Sequence, residues 1–175
     1  MIGGLVIAVL SFGSSAFGSS AFGSSACFVP PVDVPIAIGF QRPACEYCPG
    51  HRGVEYHPPT GVPVRAVIGG VVSFAGRVAG TLYVVVAQPD GSRATYGMLL
   101  TRLVGAGDGV AAGQVVGFAS GRLYFGLRDS DDQPIDPTGM LGRWVGRPRL
   151  IPLDGTAARQ GRPPKLTCAV TADGR

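Results

Sequence analysis

Three side chains between positions 51 and 57 are of the types that bind metal ions or transfer protons. His51, Glu55 and His57 form the pattern H-x3-E-x-H and include both histidines of the chain. A hydrolytic zinc site needs three nitrogen, oxygen or sulfur ligands and one position open for water. Glu55 and His57 would share one face of a strand, whereas His51 would have to fold back from the preceding turn. The alternative is that Glu55 pairs with a cation and that His57 is an exposed loop residue.

The four cysteines are a second set of residues with chemistry of their own. Cys45 and Cys48 form a C-x-x-C that Pro49-Gly50 follows at once, which indicates a turn rather than the helix start of a redox pair. A zinc knuckle would need a second close pair of Cys or His, but Cys27 and Cys168 lie far apart. An even cysteine count in an exported chain predicts two disulfides. Of the three connectivities, we expect Cys45–Cys48 and Cys27–Cys168.

The first 26 residues predict a secretory signal peptide. Met1–Leu10 is apolar but shorter than the ~20 residues that cross a bilayer. Three copies of FGSSA follow at 12–26, and their small residues suit signal peptidase. The alternative interpretation is a glycine-rich disordered leader. We therefore expect a secreted or cell-envelope protein that associates with a membrane only if Cys27 is lipidated.

The elements that must position these side chains are predicted to be short strands. The chain contains 28 glycines and 15 prolines, and valine dominates its apolar runs. This composition favours many strands joined by tight turns. We expect an all-β fold, an antiparallel two-sheet sandwich or barrel-like core with extended Pro-rich N- and C-terminal segments. The predicted organisation is a leader at 1–26, an extended Pro/Cys segment at 27–50, a β domain at 51–142 and an Arg/Pro/Gly-rich tail at 143–175.

Several strands of the β domain are predicted individually. The continuous apolar run 81–87 is typical of a centrally buried strand. Pro89-Asp90-Gly91-Ser92 predicts a hairpin, with the returning strand at 93–99. Residues 114–120 and 122–128 predict two strands joined by a tight turn.

The charge of the chain says little about its partner. The net charge is +4 and rests on arginine, because Lys165 is the only lysine. Basic proteins are drawn to anionic surfaces, but no basic run here is dense enough to choose among them. The arginines of the tail are typical of a solvated segment. We expect no nucleic-acid partner, and the single lysine in a Pro-rich tail argues against a biotinyl or lipoyl carrier.

The order of the motifs resembles the lysostaphin/LytM-type zinc metallopeptidases, which cut peptidoglycan cross-bridges. That family shows H-x-G-x-D, then G-x-P-V-x-A, then G-x-V-x-x-A-G. Residues 51–55, 61–66 and 70–76 follow this series, with glutamate in place of the aspartate. The resemblance spans about residues 51–142. Its later landmarks are Thr95–Leu99, Gly113–Gly117, Leu123–Arg128 and Asp136-Pro137.

The resemblance implies a degenerate zinc site. His51 stands at the first ligand position, and Glu55 stands where the family has an aspartate ligand. Tyr124 occupies the third-ligand position. Met98 and Arg122 occupy the positions of the two histidines that assist catalysis. We therefore expect His51 and Glu55 to be a relic metal pair.

A substrate groove could outlast the loss of the ligands. The residues expected to line it are Arg122, Tyr124 and Tyr96, with Glu55 on its floor. The function expected from the resemblance is that of an exported, non-catalytic module that binds peptidoglycan or a cell-envelope protein. No cofactor is expected, although zinc remains an option. The alternatives are an active zinc metalloendopeptidase with rearranged ligands and a disulfide-tied structural protein.

Overall fold

The computed structural model describes residues 27–45, 47–146, 156 and 163–168, so the predicted leader and most of the predicted tail lie outside it. Within these ranges the regular elements are all strands, which confirms the all-β prediction. The strands are β1 (Ile36–Ile38), β2 (Val54–Tyr56), β3 (Pro63–Arg65), β4 (Gly70–Val78), β5 (Thr81–Ala87), β6 (Arg93–Arg102), β7 (Gly109–Val110), β8 (Val115–Arg128), β9 (Pro134–Ile135), β10 (Arg143–Val145) and β11 (Lys165–Thr167).

Strands β1 to β9 form one hydrogen-bonded antiparallel network. Its order is β1-β2-β8-β6-β5-β4-β7, and β3 and β9 also pair with β8. Strands β10 and β11 form a separate antiparallel pair. The described ranges contain no helix that is long and apolar enough to span a membrane.

The long strand β8 lies between β6 on one side and the short strands β2, β3 and β9 on the other. Its first part pairs with β3 and its later part with β2, while β6 runs along its other side. The prediction of two strands, 114–120 and 122–128, is therefore wrong. Gly121 has the positive φ (98°) of a turn residue. The residues before it and after it are nevertheless both paired with β6, at Ala119 and at Tyr124. The sequence feature that suggested a turn is a bend within one strand.

One face of the sheet packs into the core and the other is partly open. In β5, Leu82, Val84 and Val86 are buried, whereas Tyr83 and Val85 are only half-buried. The strand is central, as expected, because β5 lies between β6 and β4, but only one of its two faces is fully buried. The open face, which we call the outer face, carries the candidate site.

The two ends of the described chain meet. Phe28 forms a bridge with Leu141, and a disulfide joins Cys27 to Cys168. A second disulfide joins Cys45 to Cys48. Both pairings are those expected from the sequence. A sulfur atom in a disulfide cannot also carry a lipid, so the pairing of Cys27 argues against lipidation.

Candidate functional site

The pairing of β2 with β8 brings the candidate residues together. Glu55 lies opposite Tyr124 in this pair, so the two side chains project from the same face. Arg122 is two residues before Tyr124 and shares that face. Glu55 alternates with Val54 and Tyr56, whose side chains are in the core. The strand register therefore places a carboxylate, a phenol and a guanidinium side by side on the outer face.

Arg122 and Glu55 form a direct ion pair. Nη2 of Arg122 donates to Oε2 of Glu55 at 2.5 Å. The Glu55 side chain is only 10% exposed, whereas that of Arg122 is 56% exposed. Burial alone would raise the pKa of Glu55, but the hydrogen bond and charge of Arg122, with a smaller effect of His51, lower it below its ordinary value. Glu55 is therefore held in its charged form.

His51 is held in place by the segment that precedes it. Its backbone exchanges hydrogen bonds with Gln41, and Nδ1 lies 2.9 Å from the carbonyl oxygen of Gly39. Because a carbonyl oxygen only accepts, Nδ1 carries a proton, and Nε2 is the nitrogen directed at Glu55. Nε2 lies 3.3 Å from Oε1 of Glu55 but without hydrogen-bond geometry. The contact is attractive when the imidazole is doubly protonated.

The Tyr124 side chain packs against the backbone of two glycines, Gly53 and Gly126. A Cβ atom at Gly53 would lie 2.8 Å from the Tyr124 ring, and one at Gly126 would lie 2.8 Å from the hydroxyl. The ring also meets His51 edge-on, with centroids 5.9 Å apart. Burial raises the pKa of Tyr124, and the charges of Arg128 and Arg52 offset only part of that effect. Tyr124 is therefore a neutral phenol near neutral pH.

Tyr96 does not line the groove, so this expectation is wrong. The residue is fully buried, with 0% exposure, and its hydroxyl oxygen accepts a hydrogen bond from the Val67 amide at 2.6 Å. Its ring packs against Phe125 with centroids 5.4 Å apart. The neighbouring Gly97 faces the opposite way and pairs with Tyr124. Successive residues of a strand alternate between faces, and Tyr96 is on the core side.

Met98 lies at an irregular point of β6. Its φ angle of 61° is unusual for a residue other than glycine, and the register of β6 shifts between Gly97 and Leu99. Its carbonyl oxygen accepts a hydrogen bond from the Ser120 hydroxyl at 2.8 Å. A thioether is a weak acceptor and does not titrate, so Met98 provides no acid or base.

The donor set does not fit a three-ligand zinc centre. No cluster of three or more His, Cys, Asp or Glu side chains occurs among the described residues. His51 and Glu55 supply two donors, and His57 is exposed just beyond the end of β2. Arg122 places its guanidinium directly on Glu55, where its positive charge opposes a dication. The arrangement can hold an ion pair and can contact an anionic ligand through the exposed part of Arg122.

Sequence reasoning missed the residues that support this site. Gly39 and Gln41 position His51, and both precede the C-x-x-C. In the sequence, the turn predicted at Pro49-Gly50 was the signal that pointed to them. Such a turn lets the chain reverse direction, so that Gln41 before the disulfide pairs with His51 after it.

Comparison with known proteins places the chain in a family. Residues 49–137, about half of the chain, match Peptidase family M23. An uncharacterized protein of Mycobacterium tuberculosis, Rv2891, is 37% identical over 114 residues, which cover 58% of this chain and 45% of that protein. Helicobacter pylori Csd3 has 25% identity and a TM-score of 0.57 over 66% of this chain and 34% of its own.

A chain of the SpoIIQ–SpoIIIAH pore-forming complex shares the fold alone. It has 19% identity and a TM-score of 0.58, over 66% of this chain and 91% of its own. The present chain covers less than half the length of Rv2891 and of Csd3. The family match covers the motifs that begin at His51 and agrees with the resemblance read from the sequence. The chain belongs to peptidase family M23.

Proposed function

We propose that this M23 domain is exported and does not hydrolyse peptides, and that it acts as a binding or regulatory module at the cell envelope. The observation that carries the proposal is the ion pair between Arg122 and Glu55. An M23 peptidase of the expected kind would use the carboxylate at this position as a zinc ligand. Here the carboxylate is engaged by an internal cation, and two of the three ligand types are replaced.

The proposed ligand is peptidoglycan or an envelope protein. The outer face offers half-buried Tyr83 and Tyr124 beside the exposed guanidinium of Arg122. Aromatic rings and arginine are the side chains that most often supply binding energy at protein surfaces. The SpoIIQ–SpoIIIAH complex, which shares the fold, is an example in which this architecture belongs to a protein assembly.

Export is supported by the cysteines. Both disulfides require an oxidising compartment in order to form and persist. We therefore propose that residues 1–26 act as the signal peptide and that the mature domain works outside the cytoplasm.

Zinc analysis tests the non-catalytic part of the proposal. The oxidised protein would be dialysed against zinc and then against metal-free buffer, and its zinc would be measured beside that of a His51→Ala variant. We expect substoichiometric zinc in both proteins and no release of peptides from purified peptidoglycan. About one zinc per chain, lost in the variant and accompanied by cleavage, would establish the alternative of an active metalloendopeptidase.

Co-sedimentation with purified peptidoglycan tests the binding part. We expect the wild-type protein to pellet with the polymer and an Arg122→Met variant to pellet less. A variant at Arg77, whose guanidinium is bonded to the carbonyl of Gly80 in the β4–β5 hairpin, serves as the charge-matched control. A wild-type protein that stays in the supernatant would exclude peptidoglycan and leave an envelope protein as the partner to be sought.

A further inference from the structure

A cleft of about 700 Å³ lies beside the candidate site, between the segment that precedes His51 and the turn that follows β8. Three arginines from separate parts of the chain line it: Arg42, Arg52 and Arg128. Tyr47, which is 90% exposed, and Asp131 also contribute to its walls. Cationic side chains that converge from distant segments make this a candidate binding site rather than a simple gap in the surface.

One carboxylate of the cleft, that of Asp132, is already engaged in ion pairs within the protein. Asp132 lies between two arginines, with its Oδ1 atom 2.7 Å from Arg93 and 3.1 Å from Arg128. Arg128 also donates to the Asp132 carbonyl oxygen at 2.9 Å. Among the described residues, Asp131 is the other carboxylate of the lining.

Arg42 is the cation best placed to meet a ligand. It is exposed, and its guanidinium carbon lies 5.9 Å from the centre of the Phe40 ring. Among the described residues it takes part in no salt bridge. Stacking on an aromatic ring restrains a guanidinium while leaving its hydrogen-bond donors available. The Arg42 side of the cleft therefore carries a positive charge that a ligand can reach.

The cleft adjoins the outer face, and part of its lining comes from the segment that precedes His51. Arg52 and Arg128 both act electrostatically on Tyr124, so the cleft adjoins the Arg122–Glu55 site. Arg42 and Tyr47 precede residues 49–137, the stretch that matches the family. The disulfide between Cys45 and Cys48 closes the turn that presents Tyr47. Arg42 and Tyr47 are thus supplied by the segment before the family match, whereas Arg52 and Arg128 lie within that match.

We propose that this cleft binds the free terminal carboxylate of a peptide that lies along the outer face. A planar guanidinium donates two parallel hydrogen bonds to a carboxylate, and Tyr47 offers an apolar surface to the last residues of the peptide. This inference rests on the proposed binding function and names the chemical group that the domain recognises. It assigns to Arg42 the main contact and to Arg52 and Arg128 the surrounding positive charge.

The test is a titration followed by NMR chemical shifts of the oxidised protein. The probes are N-acetyl-trialanine with a free carboxylate, the same peptide as its C-terminal amide, and the amidated peptide N-acetyl-Ala-Glu-Ala. We expect the free acid to shift the amide signals around Arg42, Tyr47 and Arg52 and to bind about tenfold more tightly than the trialanine amide. Binding of the glutamate peptide as tightly as the free acid would overturn the assignment to a terminal carboxylate.

Two matched variants locate the interaction. Arg42→Gln should weaken binding of the free acid about tenfold and leave binding of the amide unchanged. Arg77→Gln removes the same charge from the β4–β5 hairpin and should change neither affinity. Unaltered urea unfolding would show that Arg42→Gln folds normally. Equal affinities for acid and amide, absence of binding, or an Arg42→Gln variant that binds like wild type would each refute the proposal.

The experiment separates this inference from the function on which it rests. If wild-type protein fails to sediment with peptidoglycan but the free acid still binds at Arg42, the wall-binding function is wrong and the carboxylate site stands. If the protein sediments but the free acid does not bind, the carboxylate site is wrong and the module stands.

Discussion

At the scale of single residues, the site is governed by the burial of Glu55. A carboxylate that is nine-tenths buried needs a positive neighbour, because removing a charge from water costs several kcal/mol. In a metallopeptidase the metal ion would supply that charge. Here Arg122 supplies it from within the chain, and its own exposure leaves room for a ligand. The pair thus makes the charge of the site independent of a bound cation.

Removing the Arg122 charge should destabilise the fold. We expect Arg122→Met to lower the free energy of unfolding by about 1–3 kcal/mol, since Glu55 is left charged and without its strongest partner. The measurement is urea unfolding at neutral pH. Arg77→Met is the control and should change stability by less than about 0.5 kcal/mol, because the Arg77 guanidinium donates to an exposed carbonyl oxygen. Equal effects of the two variants would contradict the role given to the ion pair.

The pKa of Glu55 predicts how stability depends on pH. Its pKa is lower in the folded protein than its ordinary value of 4.5. The unfolded chain therefore binds more protons in the interval between the two values, and stability rises with pH there. The contribution of the pair should be complete above 4.5 and should be lost as the pH falls through the lowered pKa. Urea unfolding of wild type and Glu55→Gln across this interval should show a shallower pH dependence in the variant.

At the scale of elements, glycine allows aromatic rings to lie flat on the outer face. A Cβ atom at Gly97 would come within 2.5 Å of the Tyr83 ring, just as Gly53 and Gly126 leave space for Tyr124. The strands in this region are therefore covered by side chains of their neighbours. The shape of the site therefore depends on these glycines as well as on the aromatic side chains that pack against them.

Filling one of these positions should disrupt the pairing of β2 with β8. A Cβ atom at Gly53 would lie 2.4 Å from the Phe125 carbonyl oxygen, which is backbone and cannot rotate away. We expect Gly53→Ala to reduce the free energy of unfolding by about 1–3 kcal/mol. Gly109→Ala is the matched control, because no atom lies within 4 Å of its added Cβ. Loss of stability in both variants alike, measured by thermal unfolding, would count against this explanation.

Much of the architecture could be predicted from local signals. Alternating apolar residues and the turn at 89–92 indicated strands and hairpins, and the structure pairs Ala87 with Arg93 around that turn. The long strand β8 could not be predicted, because Gly121 has the residue type of a turn. Only its continued pairing with β6 shows that the chain bends without ending the strand.

The candidate site was predictable in composition but not in orientation. The motif order brought Glu55, Arg122 and Tyr124 into consideration, and the β2–β8 register puts them on one face. Tyr96 was misassigned because its landmark also contains Gly97, and a register difference of one residue exchanges the core face for the outer face. A sequence motif fixes spacing along the chain, whereas the face depends on pairing with other strands.

At the scale of the whole molecule, the two disulfides should contribute unequally. Cys27–Cys168 encloses a sequence separation of 141, and chain entropy alone assigns such a bridge about 5 kcal/mol. Cys45–Cys48, with a separation of 3, should contribute roughly 2 kcal/mol by the same reasoning. We expect the Cys27→Ser/Cys168→Ser protein to unfold at markedly lower urea than the Cys45→Ser/Cys48→Ser protein. The opposite order would show that the small loop matters more than the closure of the chain.

The closure of the chain also determines how the domain bears force. The Cα atoms of Cys27 and Cys168 are 5.1 Å apart, and Phe28 bridges to Leu141 next to them. A force applied between Cys27 and the segment after Cys168 would pass through the sulfur–sulfur bond and would not load the hydrogen bonds of the sheet. While the disulfide is intact, the β domain lies outside the path along which the force is transmitted. At the cell envelope proposed for this domain, the outer face would keep its shape under loads that would unfold a chain without this disulfide.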